Sequence, residues 1–189
     1  MSNPDLKVTP SQTIGPFFRF GTEWIATEQL VAEDHPNSIV VYGVVYDGGA
    51  NPVPDAMIEI FQADENGKFP PQSGASWSGF ARRLTDDKGS YEIRTVKPGS
   101  VAAANGELQA PHIAVVVFAR GLLKPVFSRI YFSDEAEANR KDPLLAVIDD
   151  DEAKNTLVAI SEPGGRYRFD IRLQDSQLGP ETQFIQFGV

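Results

Sequence analysis

The sequence contains no cysteine and only two histidines, His35 and His112. The absence of cysteine excludes disulfides, thiolate zinc sites, cysteine-bound iron–sulfur clusters and cysteine nucleophiles. A metal site or catalytic triad built on imidazole therefore has very few side chains to use. His35 lies in the polar segment 33–37, where a solvated side chain is expected. His112 is thus the histidine whose position needs an explanation.

Positive charge is also scarce. The sequence has 17 Lys and Arg residues and 26 Asp and Glu residues, which gives a net charge of −9. Nucleic acids and anionic membranes bind basic surfaces, so neither is an expected partner. The N-terminus lacks the basic and apolar pattern of a secretory signal, and no apolar run is long enough to cross a bilayer. We therefore expect a soluble, cytoplasmic protein.

The 189 residues contain no repeat and no recognisable linker, which predicts a single domain over residues 1–189. Segments rich in β-branched and aromatic residues alternate with turn signals, as is typical of strands. These segments are residues 38–46, 56–62, 91–96, 112–119, 126–132 and 166–173. The last segment alternates apolar with charged residues, as a strand with one solvated face does. The pattern predicts a mostly β protein, an antiparallel β-sandwich.

The chain ends and the helices complete this expectation. Prolines at positions 4, 10 and 16 predict that residues 1–20 form an extended arm, either frayed or lying across another subunit. Near the other end, Phe184, Ile185 and Phe187 give the segment 181–189 too much apolar surface for a free tail, so we expect it to be docked. One or two short helices are also expected.

The first short helix would cover residues 134–141, with Ser133 as its N-cap. The second would lie around residues 150–155, and it accounts for the acidic run 149–152 as a solvated helix start. That run lacks the ligand spacing and the central glycine of a calcium loop. Motifs for phosphate cradles and for a nucleophilic serine are absent from the sequence.

His112 follows Pro111 and opens the most apolar segment of the chain. A strand that binds a metal through two histidines places them at positions i and i+2, because those side chains share a face. Here the second position is Ala114, which has no donor atom. From the residues alone, a hydrogen-bonded core histidine is the simpler interpretation.

Six stretches distributed over nearly the whole chain carry a further pattern. They are TPSQTIGPFF (9–18), IEIFQADENGKF (58–69), TVKPGSV (95–101), QAPHIAVVVFARGL (109–122), RIYFSDEAEANRKDPLL (129–145) and RYRFDIRLQ (166–174). Together and in this order they resemble the intradiol ring-cleavage dioxygenases. The resemblance implies a β-sandwich and a ferric, non-haem enzyme that cleaves catechols between their hydroxyls with O₂. It also implies an assembly of similar alpha and beta chains, with the iron in the beta chain.

The same resemblance implies a ferric site made of two tyrosinates and two histidines, which are suitable ligands for Fe³⁺. His112 occupies one of these four positions. The other three hold residues that cannot bind the metal: Ala114, Val101 after the turn 97–99, and a segment 62–79 with Phe69 and Trp77 but no tyrosine. We therefore expect no metal and no catalytic residue in this chain alone, and Fe³⁺ in a partner beta chain.

The resemblance also implies a contribution to the substrate pocket at the subunit boundary. The implied substrate-binding residues are Thr13, Gly15, Pro16 and Arg120. Gly15 would allow close backbone approach, and Pro16 would set the direction of the arm. The guanidinium of Arg120 would offset the negative charge of an aromatic acid such as 3,4-dihydroxybenzoate. The implied function is that of a pocket-completing subunit in the catabolism of aromatic compounds.

A second hypothesis belongs to another class of protein, a non-enzymatic transthyretin-like β-sandwich that binds or scaffolds. Residues 43–56 and 87–91 carry a pattern common in such modules. A module of this kind would need neither the arm 9–16 nor the segment 110–121. A dioxygenase made of this chain alone is disfavoured by the missing ligands.

Overall fold

A computed structural model of the chain describes residues 9–23, 29–70, 77–103 and 105–186. The strands are β1 Ser38–Tyr46, β2 Met57–Phe61, β3 Phe80–Leu84, β4 Ser90–Val96, β5 Val101–Ala102, β6 Leu108–Gln109, β7 His112–Phe118, β8 Val126–Phe132, β9 Val158–Glu162, β10 Arg166–Arg168 and β11 Ile171–Arg172. The helices are α1 Pro16–Glu23, α2 Ala136–Lys141, α3 Pro143–Ala146 and α4 Asp151–Asn155, with a 3₁₀ turn at Ser133–Glu135. The mostly β architecture expected from the sequence is confirmed.

Nine of the strands form one sheet in the order β11-β1-β10-β9-β8-β7-β2-β3, with β4 paired to β1. The strands β5 and β6 form a separate short hairpin. Most pairings of the described strands are antiparallel, as expected. Three pairings are parallel, namely β1 with β10, β1 with β11, and β8 with β9. The sheet is therefore mixed, because the chain returns to β1 and β8 through long connections rather than hairpins.

The sheet folds onto itself around a main core, and a second, smaller apolar cluster lies beside α3, so the arrangement resembles a sandwich. Alternate residues of strands from both halves point into this core, as the two-residue period of a strand requires. The buried core side chains include Ile39, Val41, Val45, Ile58, Ile60, Tyr91, Ile93, Ile113, Val115, Val117, Ile130, Phe132, Ala159, Tyr167, Phe169 and Ile171. On the opposite face of β7, Ala114, Val116 and Phe118 are half-buried. The apolar segment 112–119 is therefore fully covered on one face only.

Residues 166–173 do not form the single strand that their alternation predicts. They form two short strands, β10 and β11, that pair with successive parts of β1. Between them, the Val44 N–H donates to the Asp170 carboxylate at 3.1 Å, so a side chain replaces a backbone carbonyl of the ladder. The buried and exposed sides remain as predicted, with Tyr167 buried and Arg168 exposed.

The extended arm is shorter than the sequence predicts. Residues 9–15 are irregular, but the helix α1 begins at Pro16, because the first helical position needs no backbone N–H. The rings of Phe18 and Phe118 are 5.5 Å apart. The Thr22 hydroxyl also lies 3.4 Å from the Met57 sulfur, so α1 packs against β2 and β7. Residues 1–8 lie outside the described part of the chain.

The described residues form more helices than expected, and one cap differs. The hydroxyl of Ser133 accepts the Ser161 N–H at 2.8 Å and caps no helix. Residues 133–141 instead begin as a 3₁₀ turn that continues into α2. The predicted helix near 150–155 is confirmed as α4, with the Asp150 carboxylate accepting the Glu152 N–H. The helix α3 was not expected, and its N-cap is Asp142.

The C-terminal segment is docked along β8, as predicted from its apolar residues. Phe184 packs against the core, and the Ile185 N–H donates to the Phe127 carbonyl at 2.7 Å. The Ser128 hydroxyl donates to the Gln183 carbonyl at 2.8 Å. Phe187 lies outside the described residues. No helix formed by the described residues is long and apolar enough to span a membrane.

Burial in the core predicts that truncation to alanine costs more stability at one strand isoleucine than at another. Ile58 of β2 is fully buried, whereas Ile160 of β9 is 60% exposed. We expect Ile58→Ala to lower the free energy of unfolding by about 2–5 kcal/mol, because it leaves a cavity in the core. The control Ile160→Ala should cost less than about 1 kcal/mol. Urea unfolding measures both, and equal losses would contradict the assignment of Ile58 to the core.

Candidate functional site

A pocket of about 310 Å³ lies at the start of β7. It brings together four positions that the sequence analysis singled out, Phe69, Val101, His112 and Ala114. The other residues that line it are Phe61, Gln109, Val115, Val116, Phe127, Ser128, Arg129 and Ile185. Trp77 is not part of this lining. The pocket thus collects the positions at which the family resemblance implies metal ligands.

The buried ring of His112 has a defined protonation state in this pocket. Its Nδ1 lies 2.8 Å from the Ala110 carbonyl, which can only accept, so Nδ1 carries the hydrogen and Nε2 is left as an acceptor. Burial lowers the pKa of His112 to about 4, and the positive charge of Arg129 adds to this effect. The Ala110 carbonyl and the Asp142 carboxylate act in the opposite direction, with smaller effects. At neutral pH the ring is therefore uncharged.

The fully buried carboxylate of Asp142 holds the surroundings of His112 together. One oxygen accepts the Ala110 N–H at 2.9 Å. The other accepts the Tyr131 hydroxyl at 2.9 Å. This second oxygen also accepts the N–H groups of Leu144 and Leu145, which caps α3. The carboxylate therefore connects the entry of β7, the strand β8 and the start of α3.

Sequence reasoning missed Asp142. A detectable signal was present, because an Asp followed by Pro143 is typical of a helix N-cap followed by proline at the first helical position. The side chain of Tyr131 was also missed. Its hydroxyl bonds to Asp142 and also accepts from Arg129 Nη1 at 3.2 Å, and burial raises its pKa well above the ordinary value.

The residues present do not fit a ferric ion. Val101 and Ala114 carry no donor atoms, and the pocket lining supplies a single imidazole and no tyrosine. In the part of the chain that the structure describes, no three His, Cys, Asp or Glu side chains gather in a metal-binding group. A mononuclear ferric site needs several ligands around one point, and of the imidazole, carboxylate and phenol groups that serve best this lining supplies only the His112 ring.

The other predicted site residues lie at the far end of β7. Residues 119–122 form a turn in which the Leu122 N–H donates a hydrogen bond to the Ala119 carbonyl at 3.2 Å. Arg120 stands at the tip of this turn, and Gly121 has a φ of 87°, the left-handed conformation that such a turn assigns to glycine. The Gly121 N–H donates to the Thr13 hydroxyl at 2.8 Å. The structure therefore brings the arm and Arg120 together.

The guanidinium of Arg120 is accessible and partly oriented. Its side chain is 65% exposed, and its Nε lies 3.4 Å from an Asp55 oxygen. Apart from its two chain neighbours, no residue has an atom within 4 Å of the Cβ position that a side chain at Gly15 would occupy, so no packing contact in the described chain requires glycine there. Pro16 contributes the first residue of α1 rather than a segment of extended arm. The cluster of Thr13, Gly15 and Arg120 faces open space.

The two groups of residues are therefore separate features. The seven residues of β7 span about 20 Å at the usual rise of a strand. His112 stands at one end, and Arg120 follows the other end. Sequence spacing alone placed both in one segment, 109–122, and did not reveal that they face different surroundings.

Comparison with known proteins decides the family. The family described as Dioxygenase matches residues 14–175 of the chain. This match includes the Arg120 turn and the pocket lining apart from Ile185, and it begins within the arm at residue 14. The chain belongs to the intradiol ring-cleavage dioxygenase family. The family consists of enzymes, and a match of this extent disfavours the alternative of a non-enzymatic transthyretin-like module.

Several relatives within the intradiol dioxygenase family share long segments with the chain. The protocatechuate 3,4-dioxygenase alpha chains of Burkholderia cepacia and Pseudomonas putida are 40% and 38% identical, over 95% and 96% of this chain and 98% of each relative. The beta chain of the Burkholderia cepacia enzyme is 31% identical over 64% of this chain and 53% of its own length.

One solved structure shows the same fold. It is the dioxygenase domain of a carbohydrate-binding fusion protein from Streptomyces sp. SirexAA-E. It has a TM-score of 0.61 and 22% identity, over 92% of this chain and 94% of that chain.

The Asp142 contacts predict a large loss of stability from a small change. Asp142→Asn places an amide N–H₂ where the carboxylate accepts four hydrogen bonds, so at least one donor will face another donor. We expect the free energy of unfolding to fall by about 2–4 kcal/mol. The control is Asp150→Asn at the cap of α4, where asparagine caps as well as aspartate. Urea unfolding that shows equal losses would contradict this role of Asp142.

The lowered pKa of His112 predicts a pH dependence of stability. As pH falls below 6.5, the unfolded chain takes up a proton that the native ring resists until about pH 4, so stability is lost across this window. We expect a loss of about 2 kcal/mol between pH 7 and pH 5 from this group. The variant His112→Gln should lack this contribution to the slope. Urea unfolding at both pH values measures it, and identical slopes would refute the buried neutral ring.

Proposed function

We propose that this chain is the alpha subunit of a protocatechuate 3,4-dioxygenase and binds no iron itself. Its partner would be a beta chain that holds Fe³⁺ and cleaves 3,4-dihydroxybenzoate with O₂ to 3-carboxy-cis,cis-muconate. The observation that carries the proposal is the pocket at the start of β7, where Val101 and Ala114, which have no donor side chains, line the wall beside a single histidine, His112. The two alpha-chain relatives support the same assignment.

The replacement of ligands by apolar residues is consistent with a subunit that has no redox chemistry of its own. A tyrosine or a second histidine without a metal would leave polar groups to be satisfied in a half-buried pocket. Val101 and Ala114 avoid this cost. His112 remains because its Nδ1–H already has a partner in the Ala110 carbonyl.

The proposed contribution of this chain to catalysis is made by the arm and by Arg120. The bond from the Gly121 N–H to the Thr13 hydroxyl holds the arm beside the Arg120 turn. The exposed guanidinium can pair with an aromatic carboxylate that lies in a neighbouring subunit's pocket. Since the chain carries a net charge of −9, attraction of an anionic substrate has to be local to such a residue.

The open space around Gly15 supports the idea that another subunit approaches the arm there. The similarity of the chain to a beta chain supports a partner of the same fold. Two related chains can associate about a pseudo-twofold axis, and an arm of one can then complete a pocket of the other. The proposed assembly is therefore a hetero-oligomer of alpha and beta chains.

Co-expression tests this division of labour. The chain would be purified alone and with a beta chain, and iron content, size in solution and O₂ uptake with protocatechuate would be measured. We expect one iron per αβ pair, co-elution of the two chains, and O₂ uptake only when the beta chain is present. Stoichiometric iron together with turnover from this chain alone would refute the proposal.

Substitution of Arg120 tests the contribution to substrate binding. In the αβ complex, Arg120→Gln should raise KM for protocatechuate about 10-fold or more, because a charge-assisted contact to the carboxylate is lost. Arg120→Lys should restore part of the affinity, since the positive charge remains. The control Arg140→Gln removes an exposed arginine from α2 and should leave KM unchanged. Wild-type kinetics in Arg120→Gln would exclude this role.

A further inference from the structure

We propose that the pocket at the start of β7 binds a small aromatic carboxylate in this chain without a metal. The inference does not depend on the proposed function, because it concerns this chain's own pocket and is testable without a partner or iron. It rests on three features of the pocket: the positive charge of Arg129, the aromatic rings at its mouth, and the space left by the small side chain of Ala114.

The positive charge belongs to Arg129 of β8. Arg129 is a half-buried residue of the pocket lining, and within the described residues it makes no ion pair with a carboxylate. Its one hydrogen bond to a described residue goes to the Tyr131 hydroxyl, which leaves most of its five donors available. A guanidinium in partly apolar surroundings favours an anionic partner with two oxygens, such as a carboxylate.

The floor of the pocket is formed by Ala114. In the sheet register, Ala114 is directly opposite Phe61 of β2 on one side and Arg129 of β8 on the other. A larger side chain at this central position would fill the space between its two neighbours. The methyl group of Ala114 therefore leaves a gap between an aromatic ring and a guanidinium.

One wall of the gap is aromatic. The rings of Phe61 and Phe69 are stacked, with centroids 5.3 Å apart and planes inclined by 13°. Phe127 adds a third ring to the lining, and Phe61 is 44% and Phe127 37% exposed. Exposed aromatic rings grouped at the mouth of a pocket favour a planar apolar ligand. A ring stacked here would place a carboxylate substituent toward Arg129.

The other polar side chains that line the pocket are those of Gln109, His112 and Ser128, and the Ser128 hydroxyl is already bonded to the Gln183 carbonyl. The His112 ring is neutral, and its Nε2 can accept a hydrogen bond from a hydroxyl or from a bound water. The carboxylate of Asp142 is saturated by four donors and is fully buried, so it does not compete for Arg129 directly. A volume of about 310 Å³ is sufficient for a substituted benzene ring.

Calorimetric titration of the full chain tests the proposal, with benzoate as the probe and the neutral isostere benzamide for comparison. We expect benzoate to bind at least about 10-fold more tightly than benzamide, because only benzoate pairs with the guanidinium. Arg129→Gln should weaken benzoate binding about 10-fold or more. The matched control Arg140→Gln should leave it unchanged. Absence of benzoate binding, or equal binding by Arg129→Gln, would overturn the proposal.

A second variant keeps the test decisive if Arg129→Gln impairs folding. Ala114→Leu retains the charge but fills the floor, and it should also abolish benzoate binding while the thermal transition is retained. Crystals soaked with 4-bromobenzoate would locate the ligand by the anomalous signal of bromine. A bromine peak in this pocket, with the carboxylate at Arg129, supports the proposal. A peak elsewhere, or unaltered binding by Ala114→Leu, refutes it.

Discussion

The buried carboxylate of Asp142 is the contact on which the geometry of the pocket depends. It accepts hydrogen bonds from the entry of β7, from Tyr131 of β8 and from the first turn of α3. Because a buried carboxylate is tolerated only when its oxygens are satisfied, these three elements cannot move apart independently. The Ala110 carbonyl that orients His112 belongs to the same arrangement.

This constraint explains how a pocket can keep its form while its chemistry changes. The contacts of Asp142 lie behind the pocket and do not involve the positions of the missing ligands. Val101 and Ala114 can therefore replace donor residues without disturbing the elements that shape the cavity. Arg129 then stands beside a space that a larger residue at position 114 would occupy.

The strand β7 also separates two groups of residues that the linear sequence places close together. Its first residue, His112, lies in the pocket, and the turn after its last residue presents Arg120 to open space. A strand is stiff and extended, so its two ends lie far apart and can serve different surroundings. The arm contacts the far end through Thr13, and α1 packs beside it through Phe18.

The sequence was sufficient to predict the strands, because the two-residue alternation of buried and polar side chains is a local signal. It also identified Ala114 and Val101 as residues without donor side chains at positions where the family pattern implies ligands, because residue types can be read without coordinates. Predictions from local sequence were wrong where a side chain forms a hydrogen bond with a residue that is distant along the chain. Asp170 interrupts a strand by bonding to Val44, and the Ser133 hydroxyl is taken by Ser161 rather than by a helix.

The amino-acid order by itself established a mostly β chain of this family with one imidazole where a ferric site needs four ligands. The convergence of Asp142 with Tyr131 and Ala110, the placement of Arg129 opposite Ala114, and the separation of His112 from Arg120 depended on the folded structure. The reason is physical. Hydrogen bonds and cross-strand neighbours join residues that are distant along the chain, so their partners are determined by sheet register and not by sequence spacing.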